Sequence, residues 1–209
     1  QWQSGITKAD QKFISKIKQL ARKNKALIII DEVQSGIGRT GTFFAYEQFK
    51  IVPDILCFAK GIANGLPLGG ILTSNKIANA MTVGSHGTTF GGGPIACAIG
   101  SSVVNTISKK AFLQKVIKKE KIFLNELDAL RAKLECIQLV SSAGLWISVE
   151  FNGEINIDSL IAQTHSKGLM ILKANINTVR FSPSLIIEDG LIKKGLGIFE
   201  SSILDLLKK

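Results

Sequence analysis

The chain alternates between two hydrophobic rhythms. Short apolar runs occupy 26–30, 55–59 and roughly 69–73, each bounded by turn formers or charges. The first two, rich in β-branched residues, read as buried strands of a parallel sheet. Between and around them the spacing is helical. In 7–25, Phe13, Ile14, Ile17, Leu20 and Ala21 fall on one face, with Thr7 as the expected N-cap. Short helices are predicted over 43–49 and 74–81. A longer one is predicted over 95–108, opened by Pro94, which suits a first helical turn.

Near 108–110 the pattern changes. An amphipathic charged helix is predicted over 111–134, then strands at 137–140 and 145–151 and a helix over 158–167. Strands at 169–172 and 178–181 follow, and a closing helix spans 188–207. Helices and strands mixed in this way read as a small α+β domain behind an α/β region. The expected division is 1–108 and 109–209. Trp146 and Phe151 are expected in the core of the second domain.

Composition narrows the class. Of 209 residues, 45% are hydrophobic and 20% charged, a globular balance. No apolar run nears the roughly 18 residues that cross a bilayer, and the polar N-terminus predicts no secretory signal, so a cytoplasmic protein is expected. The chain opens without methionine on Gln1-Trp2-Gln3, which reads as the interior of a longer sequence. A net charge of +10 raises nucleic acid as a partner, but the lysines are scattered over helical faces with little aromatic interleaving, and no such partner is expected. Cys57, Cys97 and Cys136 match no metal spacing and are expected to be buried free thiols.

The chemistry-bearing positions follow the first two runs. Asp31 ends one and Lys60 the other. Ligands of open α/β sheets lie beyond the carboxyl ends of strands, so these two side chains are placed to face one ligand. A carboxylate for a pyridinium nitrogen and an amine for covalent attachment suit pyridoxal phosphate. Attachment needs a neutral amine, which desolvation and nearby positive charge favour. Gly36, Gly38 and Gly41 match a dinucleotide-binding glycine pattern literally. However, Asp31-Glu32-Val33-Gln34-Ser35 intervene between the apolar run and the first glycine, and Thr42-Phe43-Phe44 stands where the helix should be under way. His86 reads as structural, and Arg39 as a brace of its loop.

Three stretches, DEVQSGIGRTG (31–41), PDILCFAKGIANGLPLGG (53–70) and GSHGTTFGGGPIAC (84–97), resemble the class-III (ω-) aminotransferases, nearest the acetylornithine and ornithine branch. The resemblance extends over almost the whole chain and implies the C-terminal half of a fold-type I subunit. It implies part of a large, mostly parallel-sheet domain, followed by a small α+β domain. By the same resemblance Lys60 carries pyridoxal 5'-phosphate, Asp31 faces its ring nitrogen and Gln34 its phenolic oxygen. Thr89, with Thr88, reaches the phosphate in a second subunit, implying a homodimer. Arg180 grips a substrate carboxylate, and no metal is implied. The implied reaction moves the ω-amino group of N-acetylornithine or ornithine to 2-oxoglutarate, in arginine biosynthesis. The alternatives are 4-aminobutyrate or succinylornithine as donor, or an inactive remnant. Three departures stand out: Gln3 for a glutamate that gates Arg180, Gly93 for an asparagine, and 141–144 for an arginine-rich segment.

Overall fold

The computed structural model describes Gln1 and residues 5–208, so Gln3 lies outside the described residues. The chain forms two compact units, one of Ala9–Leu113 and the other of Gln1–Lys8 with Gln114–Lys209.

In the first unit, α1 (Gln11–Lys23) is capped by the Asp10 carboxylate, which accepts from Lys12 N. The helix therefore starts later than Thr7. Thr7, three residues before the Asp10 cap, is not the cap, and its N–H bonds the Gln1 carbonyl at 3.1 Å. Lys25, at φ +53°, turns the chain toward β1 (Ile29–Asp31). The strand is shorter than expected at its start and includes Asp31. It runs parallel to β2 (Ile55–Phe58), pairing Ile29 with Ile55 and Asp31 with Cys57. β3 (Gly70–Thr73) pairs antiparallel on the other side of β2.

Full burial is found only at the centre of this sheet. Leu56 of β2 is 3% exposed, whereas Ile29 of β1 is 60% exposed and Leu72 of β3 52%. Within this unit β1 and β3 are the two edges, and a strand's apolar run is covered only where neighbours lie on both sides. The short helix α2 (Asn75–Ala78) and an irregular exposed stretch lead to α3 (Pro94–Ile107). α3 packs on the turn that follows β2, and Gly100 permits the approach: a Cβ there would lie 2.9 Å from Leu68 Cδ2. Val103, Val104 and Ile107 complete a core built on Ile37, Phe44, Leu56, Ile62 and Ala63.

The second unit is an antiparallel sheet of order β4-β5-β7-β6 with helices. β4 is Ile137–Ala143, β5 Trp146–Phe151, β6 Leu172–Asn175 and β7 Thr178–Phe181. The helices are α4 (Lys110–Lys133), α5 (Ile157–Ser166) and α6 (Asp189–Leu207). Phe181 and Phe199 meet edge to face at 5.1 Å, with Phe151 6.2 Å from Phe199, joining β5 and β7 to α6. β5 is buried on both faces because residues near the N-terminus cover the other side. Ile6 N donates to Ser148 Oγ at 3.2 Å, and Ile6 packs with Ala143 and Trp146. β6 begins three residues later than the pattern suggests. Leu169 N bonds the Thr164 carbonyl and Gly168 is left-handed at φ +84°, so 168–169 close α5 instead of opening a strand. Cys136 is buried, but Cys57 is half-buried and Cys97 exposed, since the α3 face that carries Cys97 is uncovered within its unit.

Candidate active site

Asp31 is the last residue of β1, and its register partner on the parallel strand is Cys57. Lys60 follows three residues later, opening a 3-10 turn at Lys60–Ala63 just past the end of β2. The carboxylate and the amine therefore stand at the same, carboxyl end of adjacent parallel strands. Such strands lie about 4.8 Å apart.

Asp31 is exposed, and its Oδ1 accepts from Val33 N at 2.9 Å, a local turn that fixes the carboxylate at the strand end. Lys60 takes the left-handed conformation, φ +49°. A side chain there is held at a cost, and such strain clusters at functional positions. Lys60 lines a shallow open cavity of about 530 Å³ with Gly61, Asn64, Gly65, Leu66 and Pro67. Its side chain is exposed, so the desolvation expected of a neutral amine is not found. Nothing in the first unit covers it.

Gln34 is exposed in the loop after β1. That loop is self-bonded. Thr40 Oγ1 donates to the Ser35 carbonyl at 3.3 Å, and Thr42 Oγ1 to the Phe44 carbonyl at 2.7 Å. Gln48 Nε2 reaches the Thr40 carbonyl at 3.1 Å. Its glycines are conformational in origin. Gly38 and Gly41 sit at φ +80° and +87°, and a Cβ on Gly36 would fall 2.8 Å from the Glu32 carbonyl oxygen. Arg39 is largely buried, which pushes its guanidinium down to about 10. It is still charged at neutral pH.

Thr88 and Thr89 lie in a separate exposed loop, with His86. A Cβ on Gly91 would come within 2.0 Å of Thr88 Cγ2, so a larger residue there would turn the exposed Thr88 side chain. Arg180 belongs to the other unit. It is half-buried in β7, opposite Ser148 of β5 and Leu172 of β6. It lines an apolar cavity of about 320 Å³ with Phe123, Met170, Leu172, Phe181 and Leu191. The segment 141–144 serves the β4–β5 hairpin: Ser142 Oγ donates to Glu120 Oε1 at 2.7 Å and Gly144 N to the same oxygen at 2.9 Å. Gly93, the other departure, precedes α3 as its N-cap.

Sequence reasoning passed over Glu32, which is 1% exposed. A second carboxylate beside Asp31, three residues before a serine, was the available signal.

The fold is that of the fold-type I pyridoxal-phosphate transferases, and the acid and lysine at the carboxyl end of a parallel strand pair accord with it. In a solved structure of that fold, acetylornithine aminotransferase from Elizabethkingia anophelis, 52% of the chain superposes on 98% of this one. The TM-score is 0.88 and the identity 29%. The chain belongs to the class-III aminotransferase family, whose model matches residues 1–203. It is 39% identical over 206 residues to acetylornithine aminotransferase of Shewanella oneidensis, covering 97% of this chain and 51% of that protein. It is also 39% identical over 201 residues to acetylornithine/succinyldiaminopimelate aminotransferase of Buchnera aphidicola, covering 95% of this chain and 50% of that one. The chain thus spans about half the length of the curated relatives it matches.

Proposed function

We propose that the protein containing this chain is a pyridoxal-phosphate-dependent aminotransferase that moves the ω-amino group of N-acetylornithine, or ornithine, to 2-oxoglutarate in arginine biosynthesis. The observation that carries the reading is the placement of Asp31 and Lys60 at the carboxyl ends of parallel β1 and β2. In this reading residues 1–108 are the end of the large cofactor-binding domain and 109–209 the small domain, with Gln1–Lys8 packing in the second compact unit and the first unit running on to Leu113. The protein works in the cytoplasm as a homodimer, with neither nucleic acid nor membrane as partner. No described helix is long and apolar enough to cross a membrane.

The residues present suit the cofactor. A carboxylate, an amide and an amine at one strand edge match a ring cation, a phenolic oxygen and a carbonyl carbon. When bound, pyridoxal phosphate supplies an electron sink for the pair left as a substrate carbon loses its proton. Asp31 accepts the ring N–H and keeps that nitrogen positively charged. Gln34 donates its amide to the phenolic oxygen. Lys60 Nζ would hold the cofactor covalently. Once freed by the incoming amine, the Lys60 amine would take the proton from the substrate carbon that bears the amine, and would serve as base and then acid. Thr88 and Thr89 offer hydroxyls to the phosphate bound by a second subunit. Arg180 orients the carboxylate of the glutamate/2-oxoglutarate partner, because its planar fork can form two parallel hydrogen bonds.

The Buchnera relative's double name favours one further donor, succinyldiaminopimelate, for the same machinery. The test is the visible absorption of the full reading frame with pyridoxal phosphate, wild type against Lys60→Ala, followed by assays with both donors. A band present in the wild type and lost in the variant is expected. No band in either protein refutes the reading.

A further inference from the structure

Glu32 is a buried carboxylate that the roles above leave unused. Its Oε2 accepts from Ser35 Oγ at 2.6 Å and its Oε1 from Tyr46 N at 2.7 Å. Its own N–H donates to the Cys57 carbonyl at 2.8 Å, and its carbonyl accepts from Gly36 N at 3.0 Å. Cys57 is the register partner of Asp31. Ser35 is covalently next to Gln34. One residue therefore ties the end of β1 to β2, to the first turn of the loop that carries Gln34, and to the far end of that loop at Tyr46.

The loop is also anchored on the lysine side. Ile37 is 3% exposed and held at φ +55°, a conformation that β-branched residues adopt only when packing imposes it. Its side chain faces the residue after Lys60: a Cβ on Gly61 would lie 3.5 Å from Ile37 Cβ. The 34–46 loop is thus clamped between the Glu32 carboxylate and the turn that begins at Lys60.

We infer that Glu32 is a positioning residue, which holds Asp31, Gln34 and the Lys60 turn in the relative placement the cofactor requires. The inference rests on the function proposed above. One carboxylate oxygen accepts from a backbone N–H, which can only donate, and the other from a hydroxyl, which can also accept. Glu32→Met, of similar length, offers no acceptor to either and loses both ties, whereas Glu32→Gln can keep both, with its carbonyl oxygen on Tyr46 N–H and its NH2 donating to Ser35 Oγ. Side-chain length is nearly unchanged in both, so the difference between them reports the hydrogen bonds and not the packing.

The experiment compares wild type, Glu32→Met and Glu32→Gln in the full reading frame. Pyridoxal phosphate is titrated by visible absorption, and the pH at which the lysine-bound band titrates is recorded. Amide hydrogen exchange over 33–48 is measured on the cofactor-free proteins. For Glu32→Met the expected result is cofactor binding weakened about 10- to 100-fold, the range for removing a residue that orients a metal-binding side chain. The band's titration shifts, and exchange over 33–48 speeds up. Glu32→Gln, which can keep both ties without the carboxylate, lies between the two. Faster exchange with unchanged binding and titration makes Glu32 a structural brace only and overturns the inference, as does no change in any readout. A wild type without the band defeats the cofactor reading itself, and the inference with it. That outcome is distinguished by appearing before any variant is compared.

Discussion

Gly36→Ala tests whether close packing, and not a bound phosphate, explains the first glycine of the loop. The added methyl would sit 2.8 Å from the Glu32 carbonyl oxygen, 3.1 Å from Phe44 Cδ1 and 3.3 Å from Glu32 Cβ. The carbonyl is backbone and cannot swing away, and it already accepts the Gly36 N–H at 3.0 Å. Relief must come from opening the turn by several tenths of an ångström, which stretches that bond. Overpacking of this kind costs about 1–3 kcal/mol. The weakened hydrogen bond adds roughly 0.5–1 kcal/mol, and lower unfolded-chain entropy returns about 0.4–1 kcal/mol. The net expectation is a loss of roughly 1–3 kcal/mol. Gly197→Ala is the matched control. It is exposed within α6, with nothing within 4 Å of the new methyl, and should gain about 0.5–1 kcal/mol. Urea denaturation followed by far-ultraviolet circular dichroism reads both. A Gly36→Ala protein as stable as wild type, beside a stabilised Gly197→Ala, shows that the turn is not packed as described.

Two other substitutions probe the second unit. Phe199→Ala removes a ring that is fully buried between Phe151 and Phe181, and should destabilise the protein by roughly 3–5 kcal/mol in the same denaturation assay; a loss under 1 kcal/mol contradicts the packing. Arg180→Lys keeps the charge but loses the planar fork, so KM for 2-oxoglutarate should rise by about tenfold or more, for a difference of 1.4 kcal/mol. An unchanged KM, measured in steady-state transamination, removes Arg180 from the substrate role.

The placement of Asp31 and Lys60 in the first unit was legible because local sequence ends the apolar runs there. Asp31 and Lys60 end apolar runs, and β1 and β2 do pair in parallel with both residues at one end. Glu32 was not legible in the same way. Its neighbours in sequence suggest a solvated charge, and only the return of the loop at Tyr46, 14 residues on, buries it and satisfies it. The exposure of Lys60 was equally hidden, because covering a strand end depends on elements remote in sequence.

The same division holds for the fold. Periodicity and turn chemistry by themselves determined β7 (Thr178–Phe181) and the long helices α4 and α6, since side-chain spacing and capping are properties of neighbours. Register, strand direction and burial come from partners far along the chain. β3 runs antiparallel to β2, and Ile6 reaches Ser148 across 142 residues to cover the second face of β5. An apolar run carries no record of which strand it will meet or which side will stay wet. Those choices are made when distant segments compete for the same surface, and only the tertiary structure shows the outcome.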